Sequence, residues 1–304
     1  MFNQCYLLKY LVVIFVLLSQ TACVSTMSRP TADASSPASI HAVDFVPSDW
    51  DLPLGAKVVA ESNLVVRMGA GPSNAALFGA MLFGPIGAVV LNSSMSADTE
   101  EATKGMASFA ELRLKDMATE VLEETHKNGQ MPTALTFSGN VVSGDVYKLQ
   151  PFIYIETDGS NRSDLMLMLR ITKGDGKWTG QYVSHMFGLA EVKQIHYSEE
   201  FREAVKTTMR QSLKIFYQDI EGALVKDEEY IVPSVAKSML FSQGPLWGWE
   251  LKSPNDDLFV FHAKLNPGQI LGGVHIFNAE DVTTKPFVEK NEDTSDSIVT
   301  TNFR

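Results

Sequence analysis

Residues 68–97 read MGAGPSNAALFGAMLFGPIGAVVLNSSMSA, and no charged side chain lies between Arg67 and Asp98. The middle of this run, residues 75–91, contains no polar side chain. A soluble chain buries such a segment only as a covered core element; otherwise the segment faces lipid or another protein. Its 17 residues fall short of the ~20 that a membrane-spanning helix needs. Because Pro85 interrupts the run, we expect two short helices, an apolar hairpin over residues 73–94.

Small residues recur every four positions along this hairpin. They are Ala76, Ala80, Gly84 and Ala88. On a helix such a stripe lets two backbones approach closely, and it favours helix association in lipid. The pattern predicts hairpin packing through the stripe, and it leaves three neighbours open: the core of this chain, another protein copy or envelope protein, and the membrane surface.

The chain begins with a targeting pattern. Lys9 is the only charge before the apolar stretch YLVVIFVLL at residues 10–18, and the sequence SQTAC follows directly, ending at Cys23. A small residue before a cysteine after a short apolar stretch resembles the lipobox of bacterial lipoproteins, although Gln20 stands where leucine is usual. This resemblance covers about the first 25 residues. It implies removal of a signal peptide, residues 1–22, and lipidation of Cys23; ordinary secretory cleavage nearby is the alternative.

The residues after Cys23 predict a tether and a destination. Residues 23–42 are rich in Ser, Thr, Ala and Pro, a composition typical of flexible segments. In the lipoprotein family an aspartate directly after the cysteine often retains the protein at the inner membrane. Val24 stands there instead, so the resemblance implies a lipid anchor in the outer membrane, facing the periplasm or the cell surface.

Charge and cysteine content exclude several classes. The net charge of −11 argues against nucleic acid as a partner and against electrostatic attraction to anionic lipid. There are two cysteines, and Cys5 would leave with the signal peptide. The mature chain would then have no internal disulfide, so its stability must come from its core.

The remaining chain predicts an α+β fold. We expect an antiparallel β-meander with two long amphipathic helices, the apolar hairpin and a small C-terminal β unit. One helix should begin at Asp98 with a capping box, and the other should run over residues 199–226 after the cap Ser198. This order loosely resembles the small α+β modules of envelope lipoproteins. The expected division is an α+β domain at 43–230, the C-terminal β unit at 231–288 and a disordered acidic tail at 289–304.

The C-terminal unit contains two pairs of notable side chains. A turn at residues 267–268 would place His262 opposite Gly273, so that His262 and His275 are diagonal neighbours on a solvent-facing surface. With no third ligand in view, we expect no metal there. Trp247 and Trp249 alternate along a strand and therefore share a face, where they either stack on a ligand or partner or pack internally.

No motif in the sequence identifies a reaction. Nucleophile-elbow, zinc-protease and phosphate-loop motifs are all absent. We therefore expect no enzyme activity and no cofactor. The first functional hypothesis is an envelope accessory component that self-associates or contacts the membrane through the hairpin. The second is a binding protein that uses Trp247 and Trp249, and an enzyme with a dispersed site is the third.

Overall fold

The structure is a computed structural model that describes most of the chain from residue 29 to residue 287. The described residues are 29–30, 36–45, 56–59, 63–68, 111–138, 145–157, 163–174, 176, 178–186, 198–236, 238, 246–254, 257–264 and 272–287. Within them lie twelve strands and two α-helices. The strands are β1 Ala38–Ala42, β2 Lys57–Val59, β3 Leu64–Met68, β4 Leu135–Phe137, β5 Val146–Thr157, β6 Ser163–Lys173, β7 Thr179–His185, β8 Val225–Val235, β9 Gly248–Lys252, β10 Leu258–Ala263, β11 Gly273–Asn278 and β12 Val282–Pro286. The helices are α1 Leu114–Lys127 and α2 Glu199–Ile220.

All twelve strands belong to one mixed sheet. Its order is β12-β8-β9-β10-β11-β7-β6-β5-β1-β4. In addition, β3 pairs with β5, and β2 pairs with β3. Strands β5, β6 and β7 form the expected antiparallel meander. The C-terminal strands join this meander because β11 pairs with β7 in parallel. Gly273 permits that junction, since a Cβ there would lie 2.3 Å from the Gln181 carbonyl oxygen.

Both helices pack on one face of the sheet. Residues of β5 and β6 alternate, and one set of side chains forms the main core with the apolar stripes of α1 and α2. Phe216 of α2 is fully buried there among Tyr147, Trp178 and Tyr182. The Tyr182 hydroxyl donates to Asp219 at 2.7 Å, which fixes the end of α2 to β7.

The opposite face of the sheet is also buried. It contains two apolar clusters, one with Phe152, Met166 and Val183 and another with Phe261 and Phe277. Burial on both faces explains why β5 and β6 read as nearly continuous apolar runs.

The predicted fold class is wrong. The chain does not form an α+β domain followed by a separate β unit, because strands from both regions make one β-rich mixed sheet. The expected division at residue 230 falls inside β8, and the last five residues of the expected tether form the buried strand β1. The hairpin at 73–94 and the tail at 289–304 lie outside the described residues.

Both predicted helices differ from the expected ones in length. The second begins after Ser198, whose side chain accepts from the Phe201 amide at 3.1 Å, as predicted. It ends at Ile220 because Gly222 follows with φ +70, a left-handed residue typical of helix ends, and β8 then begins. Helix α1 begins at Leu114, while the expected start at Asp98 lies outside the described residues.

Candidate functional site

A pocket of about 440 Å³ lies between α2 and the sheet and is here called the helix–sheet pocket. Its helix wall consists of Glu203, Ala204, Thr207, Thr208 and Gln211. Its sheet wall comes from the ends of β7, β10 and β11. This wall consists of Ser184, His185, Met186, Leu258, Ile276, Phe277 and Asn278. The volume falls in the range of about 300–1,000 Å³ that is typical of small-molecule sites.

The helix wall follows from the amphipathic pattern of α2. Val205, Met209 and Leu213 are fully buried against the sheet. Glu203, Thr207 and Gln211 recur at intervals of four residues on an adjoining, exposed strip. The pocket therefore opens where the polar strip of the helix passes over the strand ends.

A chain of hydrogen bonds fixes the hydroxyl groups in the pocket wall. The Ser212 hydroxyl donates to the Thr208 carbonyl at 2.9 Å, so Ser184 must donate in its 2.6 Å bond to Ser212. The Thr208 hydroxyl donates to the Ala204 carbonyl at 2.9 Å. With their protons used inside the protein, Ser184 and Thr208 offer oxygen lone pairs as hydrogen-bond acceptors.

Two buried histidines lie on the sheet face opposite the pocket. His185 Nε2 and His275 Nδ1 are 3.0 Å apart, so one ring donates to the other. The His185 ring also stacks on Phe277, with centroids 4.2 Å apart. Burial lowers the pKa of His185 well below its usual value, and His275 lowers it further. The His185 imidazole, which lies with Phe277 on the sheet face away from the helices, is therefore neutral at pH 7.

The histidine arrangement predicted from the sequence is wrong. His262 pairs with Val274 rather than Gly273, which is a shift of one residue, and such a shift moves side chains to the other face. His275 consequently faces Phe261, while His262 lies on the opposite side. Neither ring is solvent-facing, because His262 is 7% exposed and His275 is fully buried. Among the described residues, no group of three or more His, Cys, Asp or Glu could hold a metal.

The buried His262 should make stability depend on pH. Burial, then His275 and Lys226, lower its pKa to about 4. Since the unfolded imidazole titrates near 6.5, the unfolded state takes up the proton first, and stability falls as pH drops from about 7 towards 4. We expect the titration of His262 to lower the free energy of unfolding by about 1–2 kcal/mol between pH 7 and pH 5. Urea unfolding at each pH measures the change. His262→Gln should lose that part of the dependence, and an unchanged dependence would contradict the assignment.

The two tryptophans lie in an aromatic cluster near the β8 side of the sheet. Both rings contact Tyr230, with centroids 5.3 and 5.0 Å away. Trp247 stacks on Phe287 at 4.6 Å and also has the Lys264 ammonium 4.0 Å from its centre. Trp249 has the Lys226 ammonium 3.7 Å from its centre. Neighbours in the same chain thus already cover the ring surfaces on which a ligand would stack.

A cluster of buried polar side chains lies on the sheet face away from the helices. The Arg67 guanidinium contacts the Glu156 carboxylate at 3.1 Å, and the Tyr154 hydroxyl also donates to that carboxylate. The Ser238 hydroxyl donates to Asp164, which pairs with Glu156 across the strands. These contacts give each of the two buried carboxylates a hydrogen-bond donor, and none of the residues borders the pocket.

Sequence reasoning missed the pocket. Its residues come from four elements, and only the four-residue spacing of Glu203, Thr207 and Gln211 marks any part of it. Cys23 and the stripe of Ala76, Ala80, Gly84 and Ala88 lie outside the described residues.

No protein-family model, curated protein or solved structure matches the chain. Of the helices in the described ranges, neither has the length and apolar character required to cross a bilayer.

Proposed function

We propose that this chain is a non-catalytic, lipid-anchored protein of the bacterial outer membrane that binds a small ligand in the helix–sheet pocket. The observation that carries the binding role is the pair of fixed acceptors, Ser184 and Thr208, in the wall of an open cavity. Polar groups are costly to desolvate unless a partner replaces water, so fixed acceptors around a cavity favour a ligand with matching donors. The pocket is a better ligand site than the covered rings of Trp247 and Trp249.

A second candidate function is assembly or membrane contact through the apolar hairpin. Its support is the uncharged run at residues 68–97 and the stripe of small residues within it. In that role the protein is an accessory component of the envelope, with another copy, an envelope protein or the membrane as the neighbour.

Replacing Cys23 with alanine should release the protein from the outer membrane. The lipid attached to this sulfur supplies the anchor, and the acidic chain adds no electrostatic attraction. Fractionation and fatty-acid labelling measure the effect, with Cys5→Ala as the matched control because that cysteine leaves with the signal peptide. Labelling that persists in Cys23→Ala would contradict the anchor. Loss of the label with unchanged membrane retention would assign retention to the hairpin.

Filling the pocket should abolish ligand binding. Thr207→Trp adds an indole at an exposed position of the pocket wall and leaves the buried stripe of α2 untouched. Thr284→Trp makes the same exchange on the exposed strand β12, outside the pocket. We expect library compounds that raise the melting temperature of the wild type and of Thr284→Trp to have no effect on Thr207→Trp. Equal responses in all three proteins would contradict the pocket as the binding site.

A further inference from the structure

The charges of α2 are divided between two sides of the helix. Arg202, Lys206 and Arg210 all form ion pairs with Glu120 or Glu124 of α1. The pocket lies on the other side, and none of its described lining residues is a lysine or arginine. An anionic ligand would therefore find no cation among these residues to replace its lost hydration.

Among the described lining residues one side chain is acidic, that of Glu203, and it is poorly suited to bind a cation. Glu203 is exposed at the rim, and its carboxylate already has the Lys206 ammonium 3.7 Å away. An ammonium group in the pocket would lose water and gain only this partly neutralised, solvent-screened partner.

Several uncharged side chains of the lining can form hydrogen bonds with hydroxyl groups. Ser184 and Thr208 offer fixed acceptors, whereas Thr207, Gln211 and Asn278 have both donor and acceptor atoms. A ligand hydroxyl both donates and accepts, so one chemical group satisfies both kinds of partner. Apolar side chains of Leu258 and Ile276 line the same cavity and match the C–H surface of a sugar ring.

From this division of charge and hydrogen-bonding groups we infer that the helix–sheet pocket binds an uncharged, polyhydroxylated ligand with the size of a mono- or disaccharide. This inference rests on the proposed binding function and adds the chemical class of the ligand.

A matched series of sugars tests the class. Glucose, N-acetylglucosamine and maltose are uncharged, glucosamine carries an ammonium on the same ring, and glucose 6-phosphate carries an anion. Each is titrated into the lipid-free Cys23→Ala chain, with binding measured by calorimetry and by amide chemical shifts. We expect at least one uncharged sugar to bind, and glucose 6-phosphate to bind at least about tenfold more weakly, as expected for an uncompensated charge.

Variants connect the binding to the pocket. Thr207→Trp should abolish it, Thr284→Trp should leave it unchanged, and Gln211→Leu should weaken it several-fold without affecting the melting temperature. Glucosamine or glucose 6-phosphate binding tighter than every uncharged sugar would overturn the ligand class. If library compounds bind only to the proteins whose pocket is open, and no sugar binds, the ligand class is overturned but the binding function stands. Failure of every compound and sugar to bind would overturn both.

Discussion

Replacing Phe216 with alanine should lower the free energy of unfolding by about 3–5 kcal/mol. The ring is fully buried at the contact of α2 with the sheet, where its centroid lies 5.5 Å from that of Tyr182 and 5.9 Å from that of Tyr147. Removing it leaves a cavity and also breaks edge-to-face aromatic contacts. Urea unfolding followed by circular dichroism measures the loss.

Two further variants calibrate this result. Phe216→Leu keeps most of the apolar volume and should lose less than half as much stability as the alanine variant, roughly 1–2 kcal/mol. Val225→Ala removes an apolar side chain that is 60% exposed, so we expect a change within about 0.5 kcal/mol. A loss below about 1 kcal/mol for Phe216→Ala would contradict the packing of α2 on the meander.

Replacing Arg67 with methionine should cost about 3–5 kcal/mol at neutral pH. Glu156 is only 2% exposed, and the arginine is its one cationic partner among the described contacts, at 3.1 Å. Without the guanidinium, a carboxylate would remain charged in a poorly solvated site or would have to take up a proton. The same urea unfolding measures the loss.

The loss in Arg67→Met should depend on pH. Burial raises the pKa of Glu156, and Arg67 opposes that rise. Without the arginine the folded-state pKa rises further, so the folded state keeps its proton to higher pH, and stability falls as pH rises through that value. The deficit should therefore be smaller at pH 5 than at pH 8. Adding Glu156→Gln should recover most of it; an unrecovered, pH-independent loss would show that Arg67 acts through packing alone.

Local features of the fold could be predicted from the sequence. Ser198 caps α2 as its position indicates, and Gly129 after α1 has φ +66, the left-handed conformation that makes glycine common at helix ends. The antiparallel pairing of β5, β6 and β7 follows from apolar runs separated by short polar turns. In each case residues close in the chain decide the structure.

Features that depend on distant residues could not be predicted. The parallel contact between β7 and β11 joins segments about 90 residues apart, and neither strand contains a signal for its partner. β10 and β11 pair with Ala263 opposite Gly273, one residue away from the register that a two-residue turn at 267–268 would give, and this error placed His275 on the wrong face. The pocket has the same origin, because Ser184, Thr207 and Asn278 meet only after the sheet has formed.

Mapping where small compounds bind on the lipid-free chain tests the proposed binding site most directly. Amide chemical shifts recorded with a fragment library, or electron density from soaked crystals, give the location without assuming a ligand class. We expect the responses to concentrate at Ser184, Thr207, Gln211 and Asn278, and we expect Thr207→Trp to remove them. Responses concentrated around Trp247 and Trp249, with the helix–sheet pocket unaffected, would contradict the proposed binding site.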